Sequence, residues 1–510
     1  MAILGPIIKA ALNIHEFFTH VDDHKMAQQK VLKKLLETAQ DTAFGKEYDF
    51  KTILEDDNVH EAFDNAVPFH DYTSMDSKWW SRIKNGEENV TWPGMPGYMA
   101  RSSGTTGKKS KMIPVTDDML DAISTAGTRQ VSALTNFDLD AEVFEKEALA
   151  LGSSTELEIV DGFKVGEISG IAASNIPEFL ESKYRPGQDI ARIDDWDERV
   201  QKIAELSSEW DIAMISGIPS WLELMLKKVM DYHKVDSIHE VWPSLSVYTT
   251  GGVAFEPYRK SFEKLFTKPV TIVDTYLASE GFIACQQRQE TDAMQLITDG
   301  GIYFEFVPFK PEYILEDGSL RQDVTTLDIS QVEENVDYVL IISTVSGAWR
   351  YLIGDTIAFT DVNHAEIKIT GRTKFFLNVV GSQLSVLKME TALNELQEEC
   401  HASIKEFTVY ARKIDGEFYH KWFLETETDK SEEDLADSLD QKLKEANKNY
   451  SVARSKALKG VKVTKVPEGF FNDWNAHQKK MGGQVKMAKV LSDDKQDEWE
   501  EFVKEKLGTD

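Results

Sequence analysis

Residues Arg101 to Thr116 read RSSGTTGKKSKMIPVT. Within them, Ser102-Ser103-Gly104-Thr105-Thr106-Gly107 contains only hydroxyl residues and glycines, a composition poor in helix and strand formers and therefore a loop. Glycines let backbone N–H groups approach an anion closely, hydroxyls add donors, and Lys108, Lys109 and Lys111 bring positive charge alongside. The stretch reads as a phosphate-binding loop, with a polar surface loop as the plainer alternative. A Walker-type loop would need a glycine where this sequence has Ser102, so that spacing excludes it. A helix is expected next, capped by Thr116, opening on Asp117 and Asp118 and keeping Met119, Leu120, Ile123, Gly127, Val131 and Leu134 on one face.

Downstream of that helix the pattern alternates, with short apolar runs of strand length each followed by a polar or glycine turn. Ala148 to Leu151 ends at Gly152-Ser153-Ser154, and Ile212 to Ile215 ends at Ser216-Gly217 before a helix from Pro219. Leu245 to Tyr248 ends at Thr249-Thr250-Gly251-Gly252, and Thr271 to Tyr276 ends near Glu280. That succession predicts an α/β fold whose ligands gather at the carboxyl ends of strands. Gly301 to Phe309 and Asp337 to Thr344 add strands. Upstream, Met26 to Gln40 reads as a helix with Leu32, Leu35, Leu36 and Ala39 on one stripe and Gly45 just beyond its end. Trp79, Trp80 and Trp92 read as packing residues.

The pattern changes near Gly371-Arg372-Thr373-Lys374. Beyond it come strands around Phe407 to Tyr410 and Lys421 to Thr426, a charged helix from Ser431 to about Asn447, a strand around Val461 to Val466 and a terminal helix. The expected organisation is a large unit over residues 1–371 and a smaller α+β unit over 372–510.

Composition narrows the partners. A net charge of -30, from 87 acidic against 57 basic residues, argues against nucleic acid or an anionic membrane. Cys285 and Cys400 lie far apart, which suits neither a disulfide framework nor a cysteine metal site. The apolar start MAILGPIIKAALNI lacks a basic leader and is interrupted by Gly5, Pro6 and Lys9. No later run reaches transmembrane length, and the expectation is a soluble cytoplasmic protein.

Several constellations could carry chemistry. The paired glycines of Thr250-Gly251-Gly252 let a flat ring such as adenine lie against backbone, or simply end a strand. Tyr276-Leu277-Ala278-Ser279-Glu280 sets an aromatic face and a carboxylate at one sheet edge; Glu280 could ligate Mg²⁺ beside substrate phosphates or be a solvated acid. In Trp349-Arg350-Tyr351-Leu352-Ile353-Gly354-Asp355, a cation and aromatics precede an aspartate able to accept both hydroxyls of a ribose, or to pair with an arginine at a strand end. Arg372 could add a second cation, and Gly482-Gly483-Gln484-Val485-Lys486 sets a lysine on a glycine loop.

Taken in order, these residues resemble the Gretchen Hagen 3 family of acyl acid amido synthetases, within the adenylating superfamily of acyl-CoA synthetases and luciferases. The likeness begins with Thr42-Ala43-Phe44-Gly45 and Val67-Pro68, continues through Ser102 to Gly107 and Lys111-Met112-Ile113-Pro114, and includes Tyr276 to Glu280, Trp349 to Asp355 and Gln484-Val485-Lys486. It implies a large N-terminal domain holding ATP and an acyl acid, and a small mobile C-terminal domain that rotates between half-reactions, with Lys374 near the hinge. It implies that Ser102, Ser103, Gly104, Thr105, Thr106, Gly107 and Lys111 hold the ATP phosphates. By the same likeness, Thr250, Gly251, Gly252, Tyr276, Asp355 and Arg372 hold adenine and ribose, and Glu280 holds Mg²⁺. Lys486 would support catalysis with Glu280, and Leu277 would line the acyl pocket. Arg129 roughly matches a position that can meet the acid's carboxylate; a surface salt bridge is its plainer reading.

One position and one short segment depart from the family pattern. Leu277 stands where a small residue is usual, and Met487-Ala488-Lys489 follow Lys486 where Pro-Arg is usual. The implied activity joins a carboxylic acid to ATP, releases pyrophosphate, and passes the acyl group to an amine such as an amino acid. The alternatives are an acyl-CoA synthetase with a thiol acceptor and a non-catalytic nucleotide-binding protein.

Overall fold

The computed structural model describes residues 4–102, 111–176, 181–252, 255–315, 319–373, 384, 386–414, 417–447, 450–451, 454, 458–478, 487–491 and 493–508. Its largest element is a sheet of eleven strands. In spatial order these are Ile302–Pro308, Asp337–Thr344, Tyr351–Asp361, Glu366–Arg372, Met294–Leu296, Gly281–Cys285, Thr271–Ala278, Val247–Gly251, Ile212–Gly217, Glu147–Leu151 and Tyr184–Arg185. From Ile302–Pro308 as far as Thr271–Ala278 neighbouring strands pair antiparallel; from Thr271–Ala278 onward they pair parallel. The parallel half is the alternating stretch of the sequence. Helices such as Trp196–Leu206 and Pro219–His233 cover it through Val200, Ile203, Leu222, Met225 and Leu226, which pack on Leu149, Ile212 and Ile215. The mixed α/β class follows from that alternation.

A separate four-stranded sheet contains Tyr98–Ser102 and Lys111–Val115, paired antiparallel with Ser102 opposite Lys111. The expected phosphate loop therefore joins two strands of a hairpin. Thr116 accepts a hydrogen bond from the Met119 N–H at 3.2 Å and caps the helix Asp117–Ala133, as its sequence predicts.

The antiparallel half is anchored by an aromatic core. Phe44 packs on Trp79 and stacks at 5.7 Å on Trp349, whose indole donates to the Thr91 carbonyl at 3.0 Å. Trp79, Trp80 and Trp92 are all buried, in agreement with their reading as packing residues. Gly45 lies within the short helix Ala43–Glu47, where a Cβ would meet the Ala39 carbonyl oxygen at 2.2 Å, so only glycine lets the two helices approach this closely.

Arg350 is fixed in the same core and not in a ligand site. Its guanidinium pairs with Asp64, donates to Glu305 at 3.1 Å, and donates to the carbonyls of Asp64 and Val67. The cation that the sequence sets beside Asp355 is thus spent on structure.

Beyond Arg372, Ser403–Ile414 and Glu417–Glu427 form an antiparallel hairpin, and Leu458–Val466 adds in parallel. One face packs Trp422 and Leu424 against Leu393, Leu396 and Leu439 of the helices Val386–Cys400 and Glu432–Ala446. The other packs Tyr410 and Phe423 on Trp474, Trp499 and Phe502. Among the described residues no helix is long and apolar enough to cross a membrane. The apolar start of the chain forms the helix Leu4–Thr19, held by Lys9, which donates to the Leu139 carbonyl at 2.7 Å.

Candidate active site

Asp355 and Arg372 meet because their strands pair in a register that sets them directly opposite one another. Arg372 donates from Nε to Asp355 Oδ1 at 2.6 Å, and the Tyr276 hydroxyl donates to Oδ2. Burial, with Asp355 adding to it, pushes the Tyr276 phenol well above its ordinary value, so it stays a donor at neutral pH. A carboxylate offers about four acceptor sites, and two are taken, so Asp355 keeps acceptor capacity for a ligand. Gly354 precedes it at φ +92, a conformation that L side chains rarely adopt.

These groups face a cleft of about 2130 Å³, at least about twice the volume of an ordinary small-molecule pocket of about 300–1,000 Å³. Ser102, Lys111, Gly251, Gly252, Leu277 and Glu280 also line it. Glu280 turns the chain between Thr271–Ala278 and Gly281–Cys285 and is 7% exposed. Burial raises its carboxyl, the Lys111 charge pulls it back, and Asp355 raises it further. Among the described residues no three His, Cys, Asp or Glu side chains converge to hold a metal by themselves. One carboxylate facing a cleft large enough for phosphates does fit Mg²⁺, which usually takes one or two carboxylates and keeps phosphate and water ligands.

Other predicted residues fall elsewhere. Thr250 is fully buried and does not line the cleft, whereas Thr249 does, because successive strand residues face opposite sides. Gly251 is required by packing as well, since a Cβ there would meet Thr275 Oγ1 at 2.5 Å. Arg129 is absent from the cleft; its guanidinium grips Asp299 in a bidentate pair, with Nη2 to Oδ2 at 2.8 Å. The plainer reading, a surface salt bridge, holds for the pairing but not for the surface, since Arg129 is only 8% exposed. Arg129→Gln should therefore lower stability by about 1–3 kcal/mol in a urea titration while leaving the KM for the acid unchanged. Ser103, Gly104, Thr105, Thr106, Gly107, Lys374 and Lys486 lie outside the described residues.

The structure also brings in residues that no motif marks. Lys489 lines the cleft, pairs with Glu406 and sits 4.5 Å above the Phe407 ring, near the half-buried Glu390. Residues around Val490 are tied to Ser403–Ile414 by Val409, which donates to the Lys489 carbonyl at 2.8 Å and accepts from Leu491 at 2.9 Å. The signal for Lys489 is its place just after Lys486, in the segment that departs from the family pattern.

Asp274, on the same strand as Tyr276, has its carboxyl raised from 3.8 to about 6, chiefly by burial and then by Asp292. A raised acid binds its proton more tightly folded than unfolded, so its contribution to stability is present at low pH and lost as pH rises from about 4 to about 6. Asp274→Asn removes that loss. Relative to the wild type, the variant should gain about 1 kcal/mol between about pH 5 and pH 8 in parallel urea titrations; a difference independent of pH would contradict the assignment.

Known proteins share this architecture. Three family models match in order: the GH3 family N-terminal domain over residues 13–203, the GH3 family central domain over 295–372 and the GH3 family C-terminal domain over 387–495. Indole-3-acetic acid-amido synthetase GH3.8 of Oryza sativa subsp. indica is 27% identical over 204 residues, 37% of this chain and 32% of that protein. The chain thus spans about a third of that relative's length, and 36% of indole-3-acetic acid-amido synthetase GH3.2 of Arabidopsis thaliana, at 24% identity over 203 residues and 37% of this chain. Jasmonoyl-L-amino acid synthetase JAR6 of Nicotiana attenuata is 20% identical over 558 residues, covering 94% of this chain and 92% of that one. Among solved structures, a GH3.15 acyl acid amido synthetase superposes with a TM-score of 0.77 at 17% identity, over 98% of this chain and 96% of its own. A 2-hydroxyisobutyryl-CoA ligase with a bound acyl-AMP superposes at 0.56 and 12% identity, over 95% and 92%. At these identities the superpositions establish a shared fold.

Proposed function

The chain belongs to the GH3 family, and from that premise we propose that it is an ATP-dependent acyl acid amido synthetase. The observation that carries the reading is the grouping of Asp355, Arg372 and Tyr276 with Glu280 and Lys111 on one cleft. Residues 1–371 would hold ATP and acid, and residues 372–510 would move between the two half-reactions.

A carboxylate is a poor electrophile because its charge is delocalised. In the first half-reaction a carboxylate oxygen of the acid attacks the α-phosphorus of ATP, and the bond to pyrophosphate breaks. In the second, an amine attacks the acyl carbon, a C–N bond forms, AMP leaves with the bridging oxygen, and the amine proton passes to solvent. Asp355, oriented by Arg372 and Tyr276, would accept the ribose hydroxyls. Gly251 and Gly252 would flank the adenine, while Ser102, Lys111 and the loop through Gly107 would contact the phosphates. Glu280, with phosphate oxygens, would hold Mg²⁺, which neutralises phosphate charge. Lys486 would approach the same phosphates, adding positive charge where it develops in the transition state.

The test supplies ATP, Mg²⁺ and a panel of aryl, indolyl and fatty acids, with either the amino acids or coenzyme A, and follows pyrophosphate release and product mass. An acyl amide is expected. A thioester formed with coenzyme A in preference to any amide would reassign the protein as an acyl-CoA synthetase. Nucleotide binding without pyrophosphate release would make it a binding protein.

A further inference from the structure

The cleft contains a cation for which that mechanism has no task. Arg199, on the helix Trp196–Leu206, lines the cleft and is only 5% exposed. Among the described residues its buried Nε has no hydrogen-bond partner and no carboxylate forms an ion pair with its guanidinium. Asp194, and more weakly Glu167, are near enough to favour its charge, but neither forms an ion pair with it, and Glu167 accepts a hydrogen bond from Ser153. The Arg199 guanidinium lies over Trp196, whose ring centroid is 5.5 Å from Cζ. Trp196 meets Trp221 at 4.0 Å, and both indoles line the same cleft.

Arginine does not shed its proton, and burying its charge without a counter-charge is costly. The other buried arginines show the usual solution, with Arg350 held by Asp64 and Glu305 and Arg129 by Asp299. Arg199 differs in facing a cleft instead of a carboxylate. Its helix packs on Leu149, Ile212 and Ile215, strands apart from the Tyr276 strand and from Glu280. Two indole walls beside one guanidinium suit a small organic anion with an apolar body better than a triphosphate.

We propose that Arg199, backed by Trp196 and Trp221, is the subsite for a substrate carboxylate other than the one that is adenylated. The inference rests on the amido synthetase reading of this cleft. Adenylation consumes one carboxylate, so the group at Arg199 must stay anionic through both half-reactions. Two sources share that chemistry: the α-carboxylate of an amino acid acceptor and a second carboxylate at the far end of the acid.

The experiment compares wild type with Arg199→Met and Arg199→Lys in two measurements. Thermal-shift titrations use the free amino acids, their carboxamides, and mono- and dicarboxylic acids. Free carboxylates of one class should raise the wild-type midpoint, their neutral amides should not, and Arg199→Met should lose the response. In steady state, the KM for that same substrate should rise about thirtyfold in Arg199→Met, with Arg199→Lys intermediate and the KM for ATP unchanged. A rise confined to the amino acid identifies the acceptor's carboxylate, and a rise confined to the acid identifies a second carboxylate. If no carboxylate shifts the wild type, or Arg199→Met responds as the wild type does, the subsite is overturned. Arg199-dependent binding without any pyrophosphate release would keep the subsite and sink the amido synthetase reading; turnover with unchanged KM values in Arg199→Met would do the reverse.

Discussion

Asp355→Ala should raise the KM for ATP by about a hundredfold to a thousandfold. The substitution removes the proposed acceptor for the ribose and, with it, the carboxylate that holds Arg372 Nε at 2.6 Å and the Tyr276 hydroxyl. Arg372 keeps 40% of its side chain exposed, so solvent screens its unpaired charge; the loss comes from the ribose hydrogen bonds to a charged acceptor, about 1.5–3 kcal/mol each. Asp355→Asn retains one carbonyl acceptor and should lose less, about tenfold to a hundredfold. The measurement is acid-dependent pyrophosphate release against ATP concentration, with circular dichroism to establish that each variant is folded. An unchanged KM for ATP in the alanine variant would remove Asp355 from the nucleotide site.

Arg350→Met should destabilise the protein by about 3–5 kcal/mol, because it strands two buried carboxylates. Glu305 is fully buried and the Asp64 side chain is 8% exposed, so neither can be solvated in place. In a unit of this size that corresponds to a fall in Tm of about 10 °C. Adding Glu305→Gln should recover part of the loss, since one orphaned charge is then removed. A melting temperature within a degree of the wild type would show that the network contributes nothing net.

The contrast between these two residues shows how far a sequence reading reaches. Both sit in one short motif, and the sequence groups them as a cation and a carboxylate at a single site. The chain takes Arg350 through φ +42 and turns its side chain into the core, whereas Asp355 emerges on the cleft. Local composition carries no record of that turn. The Asp355–Arg372 pairing depends on an antiparallel register across seventeen residues, which periodicity alone does not fix. The strands were legible because their apolar runs and glycine turns are local signals: Asp337–Thr344 begins and ends where its sequence predicts, and Glu147–Leu151 begins one residue early. Val247–Gly251 starts later than expected because Leu245 closes the preceding turn, donating its N–H to the Trp242 carbonyl at 3.1 Å. A single step along that strand separates Thr249, on the cleft, from Thr250, in the core. Arg199 was invisible for a different reason, since what singles it out is a missing partner, and that exists only in three dimensions.

Whether this cleft adenylates a carboxylic acid is decided by ATP/pyrophosphate exchange. The exchange is measured with Mg²⁺ across aryl, indolyl and fatty acids, for wild type and for Glu280→Ala and Asp355→Ala. The expected result is exchange driven by one class of acid and lost in both variants. Exchange that survives in both variants, or a folded wild type that binds ATP yet exchanges with no acid in a broad panel, would contradict it.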